Sequence, residues 1–467
     1  MPPDLNARLA RAATLELRGD LDAAICAYLD VLVHDRYRRD AMLALGALFA
    51  AKHAPELARA VFAEAASFHD SSTAYVGLGN ALLELGDRDG AHAAFANAVR
   101  ANPDDRDGHM HLALVLEREG DAPAAAASWL RAYPKPALEP LPFRGKGEPV
   151  RLMAFCSALG GNAPLDRVID ARVFQRTTLF AEGWREALSL PGDARFLNAI
   201  ADADLSPRAL DVVERIEATA DTVALNRPAA VRATARVPNA ARLRALDGVL
   251  APHAIAFPRD VLAGSHGPAL LEAAGFAFPL LLRSPGYHNG TCFERVANAE
   301  ELAGAAASLP GDVLLAIEFL DVRAADGMVR KYRVLTIGGE LYPLHLALSH
   351  DWKVHYFSSA MDEQQIFRDE ERVFLDDMAA AIGAGAVDAL RRIAAMLALD
   401  YGGIDFAIDG DGRVVVFEAN AAMVIASPKT DAKWDYRRPH ARRAIAAVHA
   451  LLRTPRPRLG APAFAAR

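Results

Sequence analysis

The sequence has few cysteines and no long uninterrupted apolar run. Its three cysteines, Cys26, Cys156 and Cys292, lie far apart, and none belongs to a CxxC arrangement. This pattern argues against a disulfide framework or a zinc site and favours a reducing compartment. No stretch of 18 uncharged apolar residues occurs, so we expect no membrane-spanning helix. The first residues lack a basic region followed by an apolar run, so we expect no signal peptide and a cytoplasmic protein.

The sequence also lacks a basic excess. Its formal net charge is −7, which argues against a general nucleic-acid-binding protein but leaves room for a local basic phosphate pocket. Hydrophobic residues make up 52% and charged residues 24% of the chain, a composition that can bury several cores. A length of 467 residues predicts two to four domains.

The first 135 residues contain an internal repeat. Small residues recur at spacings of 34, 33 and 34, a large aromatic follows each by four positions, and another small or β-branched residue follows by three more. The trios are Ala24-Tyr28-Val31, Ala58-Phe62-Ala65, Ala91-Phe95-Ala98 and Ala125-Trp129-Ala132. Steps of four and three keep each trio on one helical face, which predicts stacked helix-turn-helix units.

Three of these units also share a turn signal before the second helix. Gly19-Asp20, Gly86-Asp87 and Gly120-Asp121 supply it, whereas the second unit has Lys52-His53-Ala54-Pro55. Over residues 5–133 the pattern resembles tetratricopeptide repeats, four units in all. The resemblance implies an all-α solenoid whose concave surface holds a peptide or protein partner. The alternative is a solenoid that only packs against its neighbouring domain.

From Val150 onward the pattern changes to short strands alternating with helices, which suggests an α/β layer. A proline-rich stretch, 134–149, precedes it and reads as a linker. Strands are expected near 150–155, 195–200, 222–226, 278–283 and 313–320, and helices near 210–220 and 387–399. A Gly-Gly pair at 338–339 predicts a hairpin, and Asn298 with Glu301 predicts a capping box.

The hairpin over 402–420 concentrates charge at one end. With Asp411 and Gly412 as the central turn residues, Asp405 faces Glu418, and alternation puts Glu418 and Asn420 on one face. Two carboxylates and an amide therefore converge at the end of the hairpin remote from the turn. All of them offer hard oxygen ligands, which suit magnesium. The alternative is a solvated strand end, and a three-residue loop would shift the register and separate the carboxylates.

The order of elements from residue 150 to 455 resembles the ATP-grasp superfamily, in its glutathione-synthetase and glutamate-ligase branch. Gly-Ile-Asp-Phe at 403–406 and Phe-Glu-Ala-Asn at 417–420 are similar to the family's magnesium motif, which implies that Asp405, Glu418 and Asn420 hold the metal. The resemblance divides the chain into a repeat domain 1–133, a linker 134–149, an α/β domain 150–258, an ATP-grasp domain 259–455 and a tail 456–467.

The resemblance also implies a set of nucleotide-binding residues, with ATP and Mg²⁺ as cofactors. Those implied to bind the nucleotide are Arg236, Arg283, Glu318, Phe319, Leu320, Asp321, Lys331 and Arg333. Glu318 to Asp321 would form the adenine hinge, and the basic strand of Lys331 and Arg333 would face phosphate. With Lys353, from a polar run that follows this strand, Lys331 and Arg333 are the candidate catalytic residues.

Several positions depart from the family pattern. Arg236 and Arg283 stand where lysines are usual, and Gly403 stands where some relatives carry an arginine that contacts the acyl phosphate. The resemblance implies an ATP-dependent carboxylate–amine ligase acting through an acyl phosphate, with a peptide or protein substrate recruited by the repeats. The alternative is a nucleotide-binding scaffold with a degenerate ATP-grasp half. Relatives often form dimers, and the sequence leaves a homodimer open.

Overall fold

The computed structural model describes residues 4–133, 138–184, 190–191, 193–220, 222–287, 292–354, 360–426 and 428–454. The chain divides into two compact units. The first comprises the residues up to 135 with the short stretch 310–312, and the second comprises the remainder. In the described residues, no helix is long and apolar enough to cross a bilayer.

The first unit is built from consecutive antiparallel helix pairs, as the repeat predicts. Its helices are α1 (Leu5–Leu17), α2 (Leu21–His34), α3 (Arg39–Ala51), α4 (Pro55–His69), α5 (Ser72–Glu84), α6 (Arg88–Ala101), α7 (Arg106–Glu119) and α8 (Ala122–Ala132). Each pair packs on the next, so the apolar face of one pair is covered by its neighbour.

Every member of the four repeated trios is buried. Phe95 shows why a small partner is needed: a Cβ on Gly79 of the preceding helix would lie 2.4 Å from its ring. Phe62 is packed in the same way against Gly46 and Gly77. Glycines on the neighbouring helices thus make room for the aromatic rings of the second and third trios.

The Gly-Asp turns have the backbone that their sequence predicts. Gly86 is left-handed at φ 83°, and Asp87 caps α6 by accepting a hydrogen bond from the N–H of Gly90 at 2.9 Å. In the second unit His53 takes the left-handed position at φ 54°, and Pro55 opens α4. The turn is thus kept in the unit that lacks its usual residues.

The second unit contains three sheets. Its strands are β1 (Leu138–Pro140), β2 (Val150–Cys156), β3 (Phe174–Phe180), β4 (Arg195–Asn198), β5 (Val249–Leu250), β6 (Ala254–Pro258), β7 (Leu280–Arg283), β8 (Phe293–Val296), β9 (Val313–Glu318), β10 (Val329–Ile337), β11 (Glu340–Ser349), β12 (Tyr401–Ile408) and β13 (Val414–Asn420).

Helices cover these sheets. They are α9 (Pro207–Thr219), α10 (Pro228–Arg232), α11 (Arg236–Arg244), α12 (Arg259–Ala263), α13 (Gly267–Ala273), α14 (Ala299–Ser308), α15 (Gln365–Asp376), α16 (Met378–Ile382), α17 (Ala384–Leu397) and α18 (Arg438–Arg453). Short 3₁₀ turns lie at Leu165–Arg167, Ala181–Gly183, Ala360–Asp362 and Ala432–Arg437. Asn298 caps α14 by accepting the N–H of Glu301, as the predicted capping box requires. The Glu301 carboxylate accepts the N–H of Ala297, one residue before the N-cap position that the box predicts.

The first sheet has the order β1-β3-β2-β4, with β2 parallel to both β3 and β4. Its edge strand β1 falls inside the stretch expected to be a linker, because Leu138–Pro140 pairs antiparallel with β3. Residues 222–226, expected to be a strand, contribute only an isolated bridge between Leu225 and Leu197. The mixed α/β character is as expected, but the sheet begins at Leu138, earlier in the chain than the sequence predicts.

The central sheet has the order β11-β10-β12-β13-β5 and is antiparallel except where β5 joins β13. The predicted hairpin at Gly338-Gly339 is confirmed, since Ile337 pairs with Glu340 and both glycines have positive φ. A small antiparallel sheet, β6-β9-β7-β8, has a core of its own. Because β5 and β6 belong to different sheets, residues 249–258 contribute to both.

Candidate functional site

Four ionisable side chains occupy one cross-strand row of the central sheet. His345 on β11 pairs with Arg333 on β10, Arg333 pairs with Asp405 on β12, and Asp405 pairs with Glu418 on β13. Directly opposed residues in a sheet lie on the same face and close together. The row therefore brings three of the sequence-predicted site residues side by side.

The pairing of Asp405 with Glu418 arises differently from the prediction. The turn closes a three-residue loop, since Asp409 and Arg413 are hydrogen bonded and Ile408 pairs with Val414. This loop alone would put Phe417 opposite Asp405. A bulge between Asp405 and Phe406 takes up one extra residue and restores Glu418 to that position.

Two bulges therefore flank the charged row. The second lies between Arg333 and Val334, where β11 carries one residue more than β10. Bulges are common next to functional sites, where they re-aim side chains. The predicted two-residue turn is wrong. The pairs near it are therefore shifted, since Ala407 faces Val415 and not the Val416 that such a turn predicts. The predicted pair of carboxylates is correct.

Asp405 is fully buried and is held by two cations. Arg333 donates from Nε to Oδ1 at 2.5 Å and from Nη2 to Oδ2 at 2.8 Å, a bidentate fork. Lys331 Nζ lies 2.8 Å from Oδ2. Burial opposes ionisation of this carboxyl, but the Arg333 and Lys331 charges outweigh it and hold the Asp405 pKa well below its usual range.

Glu418 meets a third cation and its motif partner. Its Oε1 accepts a hydrogen bond from Arg236 Nη2 at 3.3 Å and another from Asn420 Nδ2 at 2.9 Å. Burial opposes its ionisation, but the charges of Arg236, Arg283 and Lys331 together outweigh it and lower the pKa of Glu418. Among the described residues, Glu418 Oε2 accepts no hydrogen bond, so it is the open oxygen of this carboxylate.

Arg236 reaches the row from the start of α11. The helix is anchored to β13 by Asn239, whose Nδ2 donates to the carbonyl of Ala419 at 2.7 Å. The backbone N–H of Arg236 donates to Asp204 Oδ2 at 3.0 Å, on the loop after β4. The position of Arg236 is thus fixed from both sides.

Arg283, at the end of β7, belongs to the same electrostatic neighbourhood. Burial and the Arg236 charge lower the pKa of Arg283 to about 10, while Glu418 opposes that shift. Its Nη2 donates to the carbonyl of Tyr287 in the following loop. The sequence predicts a loop over 284–291, of which residues 288–291 lie outside the described residues.

His345, at the other end of the row, is buried and neutral. Burial first, and then the Arg333 charge, hold the pKa of His345 well below its ordinary value. It therefore adds no positive charge to the row at neutral pH. The sequence places it in a polar run but gives no sign of its register with Arg333.

The hinge residues have structural partners of their own. The Glu318 carboxylate accepts the backbone N–H of His253 at 2.9 Å, and Asp321 pairs with Arg323 at 3.1 Å. Leu320 is half-buried, and the Phe319 ring lies 5.9 Å from the Trp352 ring. These contacts leave the nucleotide role of the hinge as a prediction.

Among the described residues, no contact joins Lys353 to Asp405 or Glu418. Its Nζ donates to the carbonyl of Phe293 at 3.1 Å and lies 5.7 Å from that ring. The part of its polar run at 355–359 lies outside the described residues. A catalytic role for Lys353 stays a prediction.

Packing explains why a glycine stands at position 403, where the ATP-grasp pattern has an arginine in some members. A Cβ at Gly403 would lie 2.7 Å from the Met423 side chain and 2.9 Å from the carbonyl of Val334. No larger side chain fits this position without movement of the neighbouring strand. An arginine in this place would need a different β10–β12 spacing.

The donor set suits magnesium only in part. Its ligands are oxygens, as Mg²⁺ prefers, but Arg333 and Lys331 already engage both oxygens of Asp405. In the described part of the chain, no group of three or more His, Cys, Asp or Glu side chains is arranged to hold a metal. Glu418 Oε2 is the accessible ligand, and further oxygens would have to come from a bound phosphate.

Asp204 is a site residue that the sequence analysis misses. It lies at the carboxyl end of parallel strand β4, the edge at which open α/β sheets place ligands. Asp202, two positions earlier, caps the same loop by accepting the N–H groups of Asp204 and Leu205. The rule of the carboxyl edge could have found both from the predicted strand.

Comparison with known proteins bears on the first unit. Residues 76–139 match a family model described as tetratricopeptide repeat. The first unit contains tetratricopeptide repeats. Solved structures similar to this chain include MamA from Desulfovibrio magneticus RS-1, with 22% identity over 28% of this chain and 73% of that chain and a TM-score of 0.26.

Two further repeat structures cover a similar share. TTC0263, a thermophilic tetratricopeptide-repeat protein of Thermus thermophilus, has 20% identity over 28% of this chain and 73% of that chain, with a TM-score of 0.26. YrrB, described as having an unusual peptide-binding site, has 20% identity over 27% of this chain and 66% of that chain, with a TM-score of 0.25. A search of curated proteins found no match.

Proposed function

We propose that the second unit is an ATP- and Mg²⁺-dependent carboxylate–amine ligase of the ATP-grasp type. The observation that carries this proposal is the convergence of Lys331, Arg333 and Arg236 on the pair Asp405 and Glu418. Phosphoryl transfer needs fixed positive groups around oxygens that carry charge in the transition state. A row of this kind on paired strands supports that role because the strands fix the backbone of each charged residue.

The charge count favours an anionic ligand. Lys331 and Arg333 pair with Asp405, and Arg236 pairs with Glu418, so three cations and two carboxylates leave one excess positive charge among these residues. A divalent cation alone gains little from such a cluster, whereas a polyphosphate that carries its own metal brings the negative charge that offsets the excess. Arg283, with its lowered pKa, extends the positive side of the cluster.

Each residue has a chemical role in this proposal. Lys331, Arg333 and Arg236 bind and orient the phosphates, and Glu418, Asp405 and Asn420 hold the metal beside them. Mg²⁺ would neutralise charge on the phosphate oxygens during transfer to a substrate carboxylate. An amine then displaces phosphate from the resulting acyl phosphate. For Asp405 to take part, Lys331 must move from its carboxylate to the phosphate.

The repeats support a peptide or protein as the substrate class. Stacked tetratricopeptide units expose an extended concave face, and such faces commonly hold peptides. Recruitment of a peptide or protein by the first unit would deliver the carboxylate or the amine to the second. We therefore place this protein among enzymes that modify peptides.

A non-catalytic scaffold is the second candidate, and one observation favours it. Both oxygens of Asp405 are already satisfied by Arg333 and Lys331, so the pair can serve stability alone. In that case nucleotide binds weakly or not at all. The two candidates differ in turnover.

The test is ADP release in the presence of Mg²⁺, candidate carboxylates and hydroxylamine, which traps an acyl phosphate as a hydroxamate. The ligase predicts ADP and hydroxamate in equal amounts, with both lost in Glu418→Gln. Nucleotide binding without ADP release for any peptide carboxylate would point to the scaffold. No nucleotide binding at all would contradict the ligase and agree with the scaffold.

A further inference from the structure

A cleft of about 470 Å³ opens on the second unit at the amino end of strand β3. Val168, Ile169 and Phe174 form apolar walls, and Ile445 of α18 closes one side. The volume falls within the range of small-molecule sites. It lies at the edge of the first sheet opposite the carboxyl ends of the parallel strands, whereas Asp204, which binds Arg236, follows the carboxyl end of β4.

Among the described residues that line the cleft, Arg176 carries the buried guanidinium. Its side chain is only 13% exposed, and its Nε–H is buried without a hydrogen-bond partner. Leaving a buried donor of a charged group unpaired is costly, so such a group calls for an explanation. A bound ligand that supplies the partner is one.

Asp166 partly fills this need. Its carboxylate lies 2.9 Å from Arg176 Nη2, but the side chain of Asp166 is 85% exposed and reaches only that nitrogen. An ion pair whose carboxylate is this exposed is weak, because water screens the carboxylate and its mobile side chain must be held in place. The Nε–Nη2 edge of a guanidinium matches a carboxylate in a two-bond fork.

We propose that this cleft binds a small organic monocarboxylate with an apolar body. The carboxylate replaces Asp166 and takes the Nε–Nη2 edge of Arg176, which turns toward the cleft as Asp166 swings out. The apolar body lies against Ile169 and Phe174. This site is independent of the charged row on the central sheet, and nothing in it requires nucleotide or metal.

The proposal makes Asp166 an internal competitor of the ligand. Removing its charge in Asp166→Asn should tighten binding, whereas Arg176→Gln should abolish the fork. Asp170 is a matched control, because it also lines the cleft but is engaged by Arg172 Nε and Nη2. Asp170→Asn therefore removes the same charge without freeing Arg176.

The experiment titrates the full chain, labelled with ¹⁵N-arginine, with phenylacetate and with its neutral isostere phenylacetamide. We expect phenylacetate to shift the Arg176 Nε–H signal and to bind at least tenfold more tightly than the amide. Asp166→Asn should tighten binding about three- to tenfold, Arg176→Gln should weaken it at least tenfold, and Asp170→Asn should change it less than twofold.

Three results would overturn the proposal. They are an unmoved Arg176 signal at saturating phenylacetate, equal affinity for acid and amide, or weaker binding in Asp166→Asn. The Asp166 variant alters an exposed side chain and the Asp170 variant a partly exposed one, so both remain informative even if Arg176→Gln fails to fold. Glu418→Gln should leave phenylacetate binding unchanged, which separates this cleft from the proposed nucleotide site.

Discussion

Arg333 holds Asp405 in a two-bond fork in the middle of the charged row, at 2.5 and 2.8 Å. The carboxylate is fully buried, and Lys331 completes its ion pairs. Such a group is stabilised only while its partners are in place, because an isolated buried charge is costly. In the proposed nucleotide site the same fork would position the phosphate-binding cations, and this double role would make Asp405 the most sensitive point of the second unit.

Substitution of Asp405 by Asn should destabilise the second unit strongly. The change leaves Arg333 and Lys331 without their counter-charge, and breaking a buried pair of this kind costs about 3–5 kcal/mol. Urea unfolding followed by tryptophan fluorescence measures the effect. Asp409→Asn is the control at the other end of the hairpin, where the pair with Arg413 is a surface pair and the loss should stay below about 1 kcal/mol. Equal losses in both variants would refute the structural role of Asp405.

The stability advantage of the native protein over Asp405→Asn should fade in acid. The folded pKa of Asp405 lies below its unfolded value of about 3.9, so its contribution is complete above that value and is lost as pH falls. The difference in unfolding free energy should be constant from about pH 8 to 6 and shrink by about 1.4 kcal/mol per pH unit below about pH 4. A difference that grows in acid would mean that the carboxyl is not held ionised.

Gly79→Ala should destabilise the first unit, against the usual helix preference for alanine. The new Cβ would lie 2.4 Å from the Phe95 ring, and overpacking of this kind costs about 1–3 kcal/mol. Combining it with Phe95→Leu should recover part of the loss, so the double variant is more stable than the sum of the single effects predicts. Gly304→Ala, where a Cβ meets open space, should instead stabilise by about 0.5–1 kcal/mol.

Arg236→Gln should weaken nucleotide binding about tenfold, because it removes a charge-assisted contact at the phosphate side of the row. Calorimetric titration with ADP and Mg²⁺ measures the change. Arg232→Gln is the matched control, since Arg232 pairs with Asp211 and Glu214 away from the row. If the two variants bound ADP equally, Arg236 would have no part in the proposed site.

The repeats are the feature that the sequence predicts most fully. The trios of small and aromatic residues recur with a fixed period, and one such pattern determines both the helices and their packing. His53 is the exception: a left-handed histidine stands where the other turns have glycine, and no local signal predicts it. The linker was likewise expected from its prolines, whereas Leu138–Pro140 forms an edge strand through pairing with a distant strand.

The candidate site could be predicted only in part, because register depends on more than the turn. Asp405 faces Glu418 through a three-residue loop and a bulge whose effects cancel, whereas the sequence predicts the same pair through a two-residue turn. Arg236 joins the site because Asn239 anchors its helix to Ala419, a contact between residues 180 positions apart. Contacts of that range leave no periodic trace in one sequence.

The most direct test of the central claim is a calorimetric titration with ADP, with Mg²⁺, and with both, for the native protein and Glu418→Gln. We expect Mg²⁺ alone to give no measurable binding, since three cations surround the two carboxylates. ADP with Mg²⁺ should bind at least tenfold more tightly than ADP alone, and Glu418→Gln should lose that gain. Tight binding of Mg²⁺ without nucleotide, or ADP binding that is indifferent to both Mg²⁺ and Glu418, would contradict the account.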